Sequence, residues 1–296
     1  MQGSVLVSML EFSALTLGNA FELKPYLTHS FSRLCDYVYG TVLLWRDMWP
    51  LEFAFYDDIA FMRVDVYDGA VGYMLPVGGD LERALDILDS CVPENKLFFN
   101  VPGPEVDFLR QRYGDISVKS IGSGGDYLYD AESMAALSGR KLHGQRNHAN
   151  YFERTWEYRF EEITSSNVCD VKAFIESKPV TASSEIFIEG NRKTLELLDN
   201  LSIYDFSSLT LYAGDKVVGF TFGTLLGDTL YVTIEQADRD YRGAYPMLAS
   251  KFVSDHLDAG AGFVNREVDL DNEGLRRSKQ AWNPCEIVGR FSVTIG

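Results

Sequence analysis

One short polar loop carries the residues of this chain best suited to hold an anion. The loop is Ala237–Ala244, and its Arg242-Gly243 step lies just before a segment with helical spacing. The first N–H groups of a helix have no partner within the helix, and the helix dipole favours negative charge at that end. We therefore expect Arg242, Gly243, Ala244 and Tyr245 to hold a phosphate-bearing group such as a pyrophosphate. The alternative is a tight strand-to-helix connection, in which Gly243 supplies only backbone freedom.

Side chains near this loop could supply acid–base chemistry. Glu235 follows the last strand of a predicted meander, where a carboxylate can act as general base toward an amine or a hydroxyl. A charged predicted strand further on holds a second candidate base, Glu267, and a candidate for oxyanion stabilisation, Arg266. We expect its polar neighbours Asn265 and Asp269 to clamp a substrate in a cleft. The alternatives are a solvated acid at Glu235 and an internal salt-bridge network around residues 265–269.

The most basic stretch of an otherwise acidic chain is residues 131–154. It carries Arg140, Lys141, Arg146 and Arg154, together with two histidines. We interpret this stretch as the bridge between two domains and as a place where an anionic substrate can bind. The alternative is a solvated helix face whose cations balance nearby acids.

Several other kinds of site are excluded because the sequence lacks their motifs. The segment Ile121–Gly125, IGSGG, is not GxGxxG and does not open a helix, so it predicts a turn rather than a dinucleotide site. The chain has no GxSxG motif and no P-loop. The four cysteines form no CxxC pair and do not cluster with the histidines. We therefore expect cysteine thiols in a reducing cytoplasm, no metal and no tightly bound cofactor.

Length, charge and hydropathy bound the remaining possibilities. A chain of 296 residues suits two domains of about 150 residues each, which we place at 1–138 and 139–296. The net charge of −16 argues against a broad nucleic-acid surface, because phosphate binding needs a positive field. No stretch approaches the roughly 18 apolar residues of a membrane span, and the first residues lack the features of a signal peptide. We expect a cytoplasmic protein without a membrane span.

The predicted elements recur in the same order in both halves, which suggests a duplication. Each half contains a strand, one or two helices, three antiparallel strands, a helix, a strand, a helix and a closing strand. The second half predicts helices over 167–177, 188–200, 245–257 and 272–282, and strands over 156–163, 209–213, 217–226, 229–234, 263–269 and 286–295. This order predicts an α+β fold with two mixed, mostly antiparallel sheets flanked by helices.

The element order and the Arg-Gly loop resemble the acyl-CoA N-acyltransferase (GNAT) superfamily. Its members hold the pyrophosphate of the acyl donor on a loop after the fourth strand, with the pattern Gln/Arg-x-x-Gly-x-Gly/Ala. The matching window here is Asp240–Tyr245, with Gly243 as its central glycine. Asp240 and Tyr245 depart from the pattern at its first and last positions.

Four blocks in the same order resemble the family named for the phosphatidylglycerol lysyltransferase C-terminal domain. They are Leu43–Asp47 (LLWRD), Asp126–Phe152, Asp238–Phe252 and Val264–Pro284. The resemblance implies two tandem GNAT-like domains, an arrangement shared with the Fem peptidyltransferases, which use aminoacyl-tRNA. The family's motif positions fall here on Lys141, Arg146, Asn147, His148, Arg242, Gly243, Tyr245, Asn265, Arg266, Glu267, Asp269 and Lys279.

Together these observations predict an acyl- or aminoacyl-group transferase with its cleft in the second domain. The donor would be acyl-CoA or aminoacyl-tRNA, the latter disfavoured by the net charge, and the acceptor an amine or hydroxyl. Lys141, Arg146, Asn147, His148, Asn265, Asp269 and Lys279 are the expected substrate-binding residues, and the first domain is expected to be a degenerate structural partner. The alternative is a non-catalytic module of the same fold that binds an anionic small molecule, which the departures at Asp240 and Tyr245 favour.

Overall fold

The computed structural model describes residues 10–28, 32–66, 70–92, 95–177 and 185–296. The chain divides into two compact units. The first comprises the chain up to Asp126 together with Ile287–Gly296, and the second comprises Tyr127–Glu286. We predicted the boundary after residue 138. The observed division lies earlier and returns the C-terminal strand to the first unit, where that strand finds its pairing partner.

Twelve strands and eleven α-helices make up the described part of the chain. The strands are β1 (Ser13–Ala14), β2 (Leu51–Tyr56), β3 (Ile59–Asp65), β4 (Val71–Tyr73), β5 (Lys96–Pro102), β6 (Ile116–Asp130), β7 (Tyr158–Glu161), β8 (Ser207–Ala213), β9 (Lys216–Leu226), β10 (Thr229–Ala237), β11 (Phe263–Asn265) and β12 (Glu286–Ile295). The helices are α1 (Ala20–Leu23), α2 (Tyr39–Trp45), α3 (Leu81–Cys91), α4 (Gly103–Tyr113), α5 (Ala131–Ala135), α6 (His143–Thr155), α7 (Val168–Ser177), α8 (Glu185–Asp199), α9 (Leu201–Tyr204), α10 (Ala244–Leu257) and α11 (Glu273–Gln280).

The first unit builds mixed sheet in the order β1-β2-β3-β4-β5-β12, with residues 116–126 of β6 beside β12. From β1 to β12 in this order, all neighbours are antiparallel except β4 and β5. Its helix α3 begins where Asp80 accepts a hydrogen bond from the N–H of Arg83 at 2.9 Å, the N-cap that the sequence predicts. Ala84, Leu85 and Leu88 of α3 are buried, so the helix contributes one apolar face to the core of this unit.

The second unit repeats this plan in the order β6-β11-β10-β9-β8-β7, with β10 and β11 as its parallel pair. Its core includes Met134 of α5, Phe152 of α6 and Phe252 of α10. Residues 131–154 therefore belong to the packed second unit, and the interpretation of this stretch as a bridge is wrong. The α+β class and the mixed, mostly antiparallel strand pairing are confirmed, but the described strands belong to one twelve-stranded sheet and not to two.

Strand β6 is continuous from Ile116 to Asp130, so the turn predicted at Ile121–Gly125 is wrong. Gly122 and Gly125 take positive φ angles of 57° and 145° inside the strand. A Cβ at Gly125 would lie 1.9 Å from the carbonyl oxygen of Val288. The glycines here permit a bent strand and a close backbone approach rather than a chain reversal.

The parallel strands of each unit separate shortly after they pair. In the second unit the ladder between β10 and β11 ends at Tyr231 and Asn265, although β10 continues to Ala237. The register of β10 against β9 also shifts between Val232 and Ile234, which marks a β-bulge at Thr233. Bulges re-aim the side chains that follow them, so this one sets the direction of Glu235.

The corresponding gap in the first unit is filled by a side chain of the same unit. The phenol of Tyr37 donates to the carbonyl of Asn100 on β5 at 3.2 Å and accepts from the N–H of Leu75, just beyond β4, at 3.2 Å. Tyr37 is 1% exposed. One buried ring thus satisfies backbone groups on both sides of the gap, where a ligand would otherwise have to do so.

Candidate functional site

A buried ion pair spans the gap between the parallel strands of the second unit. Glu235 lies on β10 and Arg266 directly follows β11, and Nη2 of Arg266 donates to Oε1 of Glu235 at 2.7 Å. Their side chains are only 6% and 12% exposed. Two residues 31 positions apart in the sequence therefore meet where β10 and β11 separate.

The pair leaves one atom of each partner unsatisfied. Oε2 of Glu235 and Nη1 of Arg266 are buried and make no hydrogen bond to any residue that the structure describes. Buried polar atoms are almost always satisfied, because leaving one without a partner costs about 1–3 kcal/mol. A ligand that offers both a donor and an acceptor would satisfy these two atoms.

Burial sets the protonation behaviour of Glu235. Loss of water around the carboxylate raises its pKa above the ordinary value of 4.5, against the opposing charges of Arg266 and Lys279. A carboxylate whose pKa is raised is a better proton acceptor than one in water.

Aromatic rings surround the guanidinium of Arg266. Its Cζ atom lies 5.2 Å from the ring centroid of Trp282 and 6.0 Å from that of Tyr129. Tyr129 also donates from its hydroxyl to the carbonyl of Lys279 at 3.0 Å. The rings fix the cation by cation–π attraction and by excluding water.

The predicted substrate residues of the charged segment brace the loop after β11. Lys279 donates from Nζ to the carbonyls of Arg266 and Glu267, and the carboxamide oxygen of Asn265 accepts from the N–H of Glu267 at 2.6 Å. The buried carboxylate of Asp269 accepts from the hydroxyl of Tyr127 at 2.8 Å and from Arg276 Nε at 2.7 Å.

The same loop takes unusual backbone conformations. Glu267, Leu270 and Asp271 have positive φ angles between 52° and 57°. Non-glycine residues in this region are strained and persist only where surrounding contacts hold them, which happens most often at functional sites. The predicted strand over 263–269 stops at Asn265 because the chain leaves the sheet here.

A cavity of about 280 Å³ in the second unit shares two aromatic residues with the surroundings of Arg266. Tyr129 and Trp282, which contact Arg266, also form part of its wall. Arg140 and Lys141 line it as well, so the cavity has two cationic side chains and two aromatic rings. Lys141, one of the predicted substrate residues in the basic stretch, therefore lines this cavity.

The other predicted residues of that stretch make contacts within helix α6 and with its neighbours. Nη1 of Arg146 donates to the carbonyl of Leu137 at 2.6 Å, and the amide of Asn147 lies 3.2 Å from Nδ1 of His143. Nδ1 of His148 accepts from Nε of Arg242 at 3.0 Å. These contacts tie α6 to the loop before α10.

The loop expected to hold an anion is packed tightly on helix α6. Gly243 has φ 98°, and a Cβ there would lie 2.0 Å from the carbonyl oxygen of His148. The N–H of Ala244, which we expected to face a phosphate, donates instead to the carbonyl of Tyr241 at 2.9 Å. Tyr245 is half-buried, and burial raises the pKa of its phenol, with a further contribution from Glu235.

Sequence reasoning singled out Glu235 and Arg266 separately, without predicting that they pair, and it missed Tyr129 and Trp282. A signal was present in the sequence. Tyr127 and Tyr129 are two positions apart on one strand, so they face the same side of the sheet. Trp282 follows Lys279 by three residues, which is close to one helical turn. Aromatic side chains at such positions are more often part of a core, and only the position of Arg266 distinguishes these two.

Each unit has a meander, a parallel pair joined through a helix, and an antiparallel closing strand, and this topology defines a GNAT-like domain. The protein is thus a tandem GNAT-like protein. The profile of the family described as "Phosphatidylglycerol lysyltransferase, C-terminal" matches residues 32–294, and the chain belongs to that family.

Known proteins similar to this chain include one curated relative and two solved structures. An uncharacterised protein of Mycoplasmoides gallisepticum is 24% identical over 205 residues, 66% of this chain, and the chain spans 64% of that protein's length. A conserved protein of unknown function from Bacteroides thetaiotaomicron is 26% identical, with a TM-score of 0.85 over 97% of this chain and 100% of that one. The C-terminal domain of a protein assigned as lysylphosphatidylglycerol synthetase, from Agrobacterium fabrum, is 14% identical, with a TM-score of 0.61 over 95% and 93% of the two chains.

Two further features of the described residues concern membranes and metals. Among the described helices, none is both long and apolar enough to cross a bilayer. Within the same described ranges, no three His, Cys, Asp or Glu side chains are grouped so that they could hold a metal ion. All four cysteines carry thiols, of which Cys35 is buried and Cys285 is exposed.

Proposed function

We propose that this protein transfers an acyl or aminoacyl group to an amine or hydroxyl, with Glu235 as general base. The observation that carries the proposal is the buried pair of Glu235 and Arg266, in which one atom of each partner has no hydrogen bond to any described residue. Membership of a family named for a lysyltransferase agrees with this class of reaction.

The proposed chemistry uses the two atoms without hydrogen bonds, Oε2 of Glu235 and Nη1 of Arg266. The acceptor donates a hydrogen bond from N–H or O–H to Oε2 of Glu235, and its heteroatom bonds to the carbonyl carbon of the donor while the proton passes to Glu235. The carbonyl oxygen becomes negative and is met by Nη1 of Arg266. When the tetrahedral species collapses, the bond to the leaving oxygen or sulfur breaks, and that atom takes the proton from Glu235.

The cavity of the second unit is the proposed acceptor site. Arg140 and Lys141 on its wall would attract an acceptor that carries a negative group, and Tyr129 and Trp282 would cover its apolar part. Arg242 and Gly243 are the proposed contact for the donor, which is either acyl-CoA or aminoacyl-tRNA. In the first unit Tyr37 fills the equivalent gap, which supports a structural role for that unit.

The test begins with a thermal-shift screen of acetyl-CoA, coenzyme A, free amino acids and aminoacyl-tRNA. A donor at about 100 times its Kd should stabilise the fold by about 2.7 kcal/mol. Transfer from the donors that bind is then measured in Glu235→Gln. Loss of a general base should slow transfer about 100-fold or more while donor binding is kept.

The matched control is Glu162→Gln, which makes the same chemical change at an exposed position of the second unit. It should transfer at the unaltered rate. Equal rates in the two variants would remove Glu235 from the chemistry.

A binding module without catalysis is the second candidate, and the packing of the donor loop favours it. Arg242 is held by His148, and the N–H of Ala244 is used within the loop. A donor or donor fragment that stabilises the protein and is recovered unchanged, with no transfer to any amine or hydroxyl, would support the module instead of the transferase.

A further inference from the structure

A buried charged cluster in the first unit takes no part in the proposed reaction. Its residues are Asp36 on a short 3₁₀ turn (Cys35–Tyr37), Asn100 on β5, Asp126 on β6 and Arg290 on β12. Asp126 is fully buried, and Asn100 and Arg290 are 7% and 9% exposed. We call these four residues the carboxylate cluster. It joins four segments of the first unit that are far apart in the sequence.

The charges of the carboxylate cluster do not balance when both aspartates are ionised. Nη2 of Arg290 donates to Oδ1 of Asp126 at 2.5 Å and lies 2.9 Å from Oδ2 of Asp36. Asp126 also accepts the N–H of Cys35 at 2.7 Å through its Oδ2. One guanidinium nitrogen thus faces two carboxylates, which leaves one negative charge in excess. An excess charge is strongly disfavoured inside a protein, and a carboxylate in that situation takes up a proton instead.

Two oxygen atoms of the carboxylate cluster have no hydrogen bond. Nδ2 of Asn100 donates to Oδ1 of Asp36 at 2.8 Å, so the amide and the carboxyl group are already joined on one side. The second oxygen of each group, Oδ2 of Asp36 and Oδ1 of Asn100, is buried and makes no hydrogen bond to any described residue. A carboxylate oxygen and an amide oxygen can only accept, so neither satisfies the other. A carboxylic acid differs, because its O–H donates.

We propose that Asp36 is protonated in the folded first unit and donates a hydrogen bond from Oδ2 to Oδ1 of Asn100. The two side chains then form a cyclic acid–amide pair with one hydrogen bond in each direction, and both oxygens are satisfied. The proton comes from water when the unit folds and returns to water when Asp36 ionises. Asp126 and Arg290 then form an ion pair of equal and opposite charge, so the carboxylate cluster is neutral.

The groups packed around Asp36 agree with a bound proton. Burial raises the pKa of Asp36 above its ordinary value of 3.8, the cation of Arg290 lowers it, and the negative charge of Asp126 raises it. The balance of these effects is a raised pKa, so the proton stays bound at a pH where an exposed aspartate is ionised. The other titratable side chains around this turn are those of Cys35, Tyr37 and, on α4, Glu105.

The bound proton makes the stability of the first unit depend on pH. Well below pH 3.8, Asp36 is protonated in the folded and in the unfolded chain alike. As the pH rises past that value, the unfolded chain releases the proton while the folded chain keeps it. The folding equilibrium constant then falls by up to tenfold per pH unit, until Asp36 ionises in the folded protein as well. Stability that is present at acid pH is therefore lost toward neutral pH.

The test compares the pH dependence of unfolding in the unaltered protein and in Asp36→Asn. An asparagine keeps one donor and one acceptor toward Asn100 but does not titrate, so it should preserve the fold and remove the dependence. Unfolding in urea is followed between pH 4 and 8 by hydrogen exchange of β5 and β12. The unfolding constant of the unaltered protein, divided by that of the variant, should rise by up to tenfold per pH unit.

Two further variants keep the inference testable if Asp36→Asn does not fold. Asp115→Asn makes the same change at an exposed position of the first unit and should retain the pH dependence. Asn100→Asp keeps a residue type that tolerates the positive φ of 54° at this position, and it replaces the amide by a second carboxyl group. Two carboxyl groups that share one proton hold it more tightly, so the loss of stability should move to higher pH.

The proton is observed directly by ¹³C NMR of the aspartate carboxyl groups. The signal of Asp36 should stay at its protonated position while those of exposed aspartates shift. The inference is overturned if the Asp36 signal titrates with the exposed aspartates, or if Asp36→Asn and Asp115→Asn show the same pH dependence. All residues of the carboxylate cluster lie in the first unit, so these results do not depend on whether the protein is a transferase.

Discussion

Glu235 and Arg266 are removed from water to make one hydrogen bond with each other. Burial of an ion pair costs several kcal/mol per charge in desolvation, and the mutual attraction recovers that cost only when the remaining polar atoms are also satisfied. Here Oε2 of Glu235 and Nη1 of Arg266 are not satisfied by any described residue. The arrangement therefore contributes little to stability, and this is the physical reason for the proposal that it takes part in the reaction.

The raised pKa of Glu235 predicts the pH dependence of transfer. A general base must be ionised, so activity should fall as the pH drops through the pKa of the folded protein, and burial places that pKa above 4.5. As the pH is lowered, we expect kcat/KM to fall at a higher pH than the one at which exposed glutamates are protonated. The profile is measured between pH 4 and 8, with circular dichroism at each pH.

The acid limb should disappear in Glu235→Gln and persist in Glu162→Gln. An acid limb retained in Glu235→Gln would assign the titration to another group.

At this scale the roles predicted for these residues stay predictions, and the structure adds their contacts. Glu235 and Arg266 form the ion pair, and Lys141 lines the cavity. Asn265 and Asp269, expected to clamp a substrate, hold the loop after β11 in place. Whether a buried polar side chain faces a ligand or its own backbone depends on the path of the loop, and sequence periodicity carries no information about that path.

At the scale of elements, the loop before α10 is shaped by its contact with α6. Gly243 combines a positive φ with a carbonyl oxygen from α6 that would lie 2.0 Å from any Cβ. The alternative interpretation of this glycine, a tight connection between strand and helix, thus has direct structural support. It does not exclude a ligand at Arg242, whose side chain is exposed.

We predict that Gly243→Ala destabilises the second unit by more than Gly260→Ala. The two glycines have nearly equal φ angles, 98° and 102°, but a Cβ at Gly260 would meet nothing within 4 Å. Each substitution carries the left-handed penalty of about 1–2 kcal/mol, and Gly243→Ala adds an overpacking cost of about 1–3 kcal/mol. Denaturant unfolding of both variants measures the difference, and equal losses would mean that α6 moves aside at no cost.

Most elements were predictable because their apolar spacing and caps are local properties. Asp80 caps α3 as expected, and the meander β8-β9-β10 matches its predicted strands closely. The wrong predictions arise from contacts between residues far apart in the sequence. IGSGG has the composition of a turn, but Gly125 is needed because the backbone at Val288, far along the chain, passes so close that a side chain would not fit.

At the scale of the whole molecule, the closing strands are exchanged between the two halves of the sequence. The end of β6 pairs with β11 in the second unit, and β12, which follows the second unit in sequence, pairs with β5 in the first. Sequence order alone predicted two consecutive domains, because each half contains a complete set of elements. Which strand pairs with which is a long-range property that local patterns do not encode.

A chain that ends at Cys285 should lose the fold of the first unit. It lacks Val293 and Ile295 from the core of that unit, and it lacks Arg290, whose Nη2 donates to the buried carboxylate of Asp126 at 2.5 Å. Removing one partner of such a buried pair costs about 3–5 kcal/mol by itself. Limited proteolysis should cut within residues 10–126 and spare residues 127–285.

Two point substitutions in β12 control for the truncation. Val293→Asp places a charge at a position with 0% exposure, and Thr294→Asp makes the same substitution at the next residue, which is exposed. Only Val293→Asp should reproduce the proteolysis pattern of the shortened chain. Equal resistance of all three variants would show that the first unit does not need β12.

The exchanged strand also fixes the order in which the two halves can mature on the ribosome. Residues up to Asp126 are translated first but lack β12, whereas Tyr127–Glu286 is contiguous and is fully translated before β12 is complete. The half that is synthesised first is therefore the half that closes last. A nonsense codon shortly before β12 would consequently damage the part of the protein translated earliest and leave the part with the Glu235–Arg266 pair able to fold.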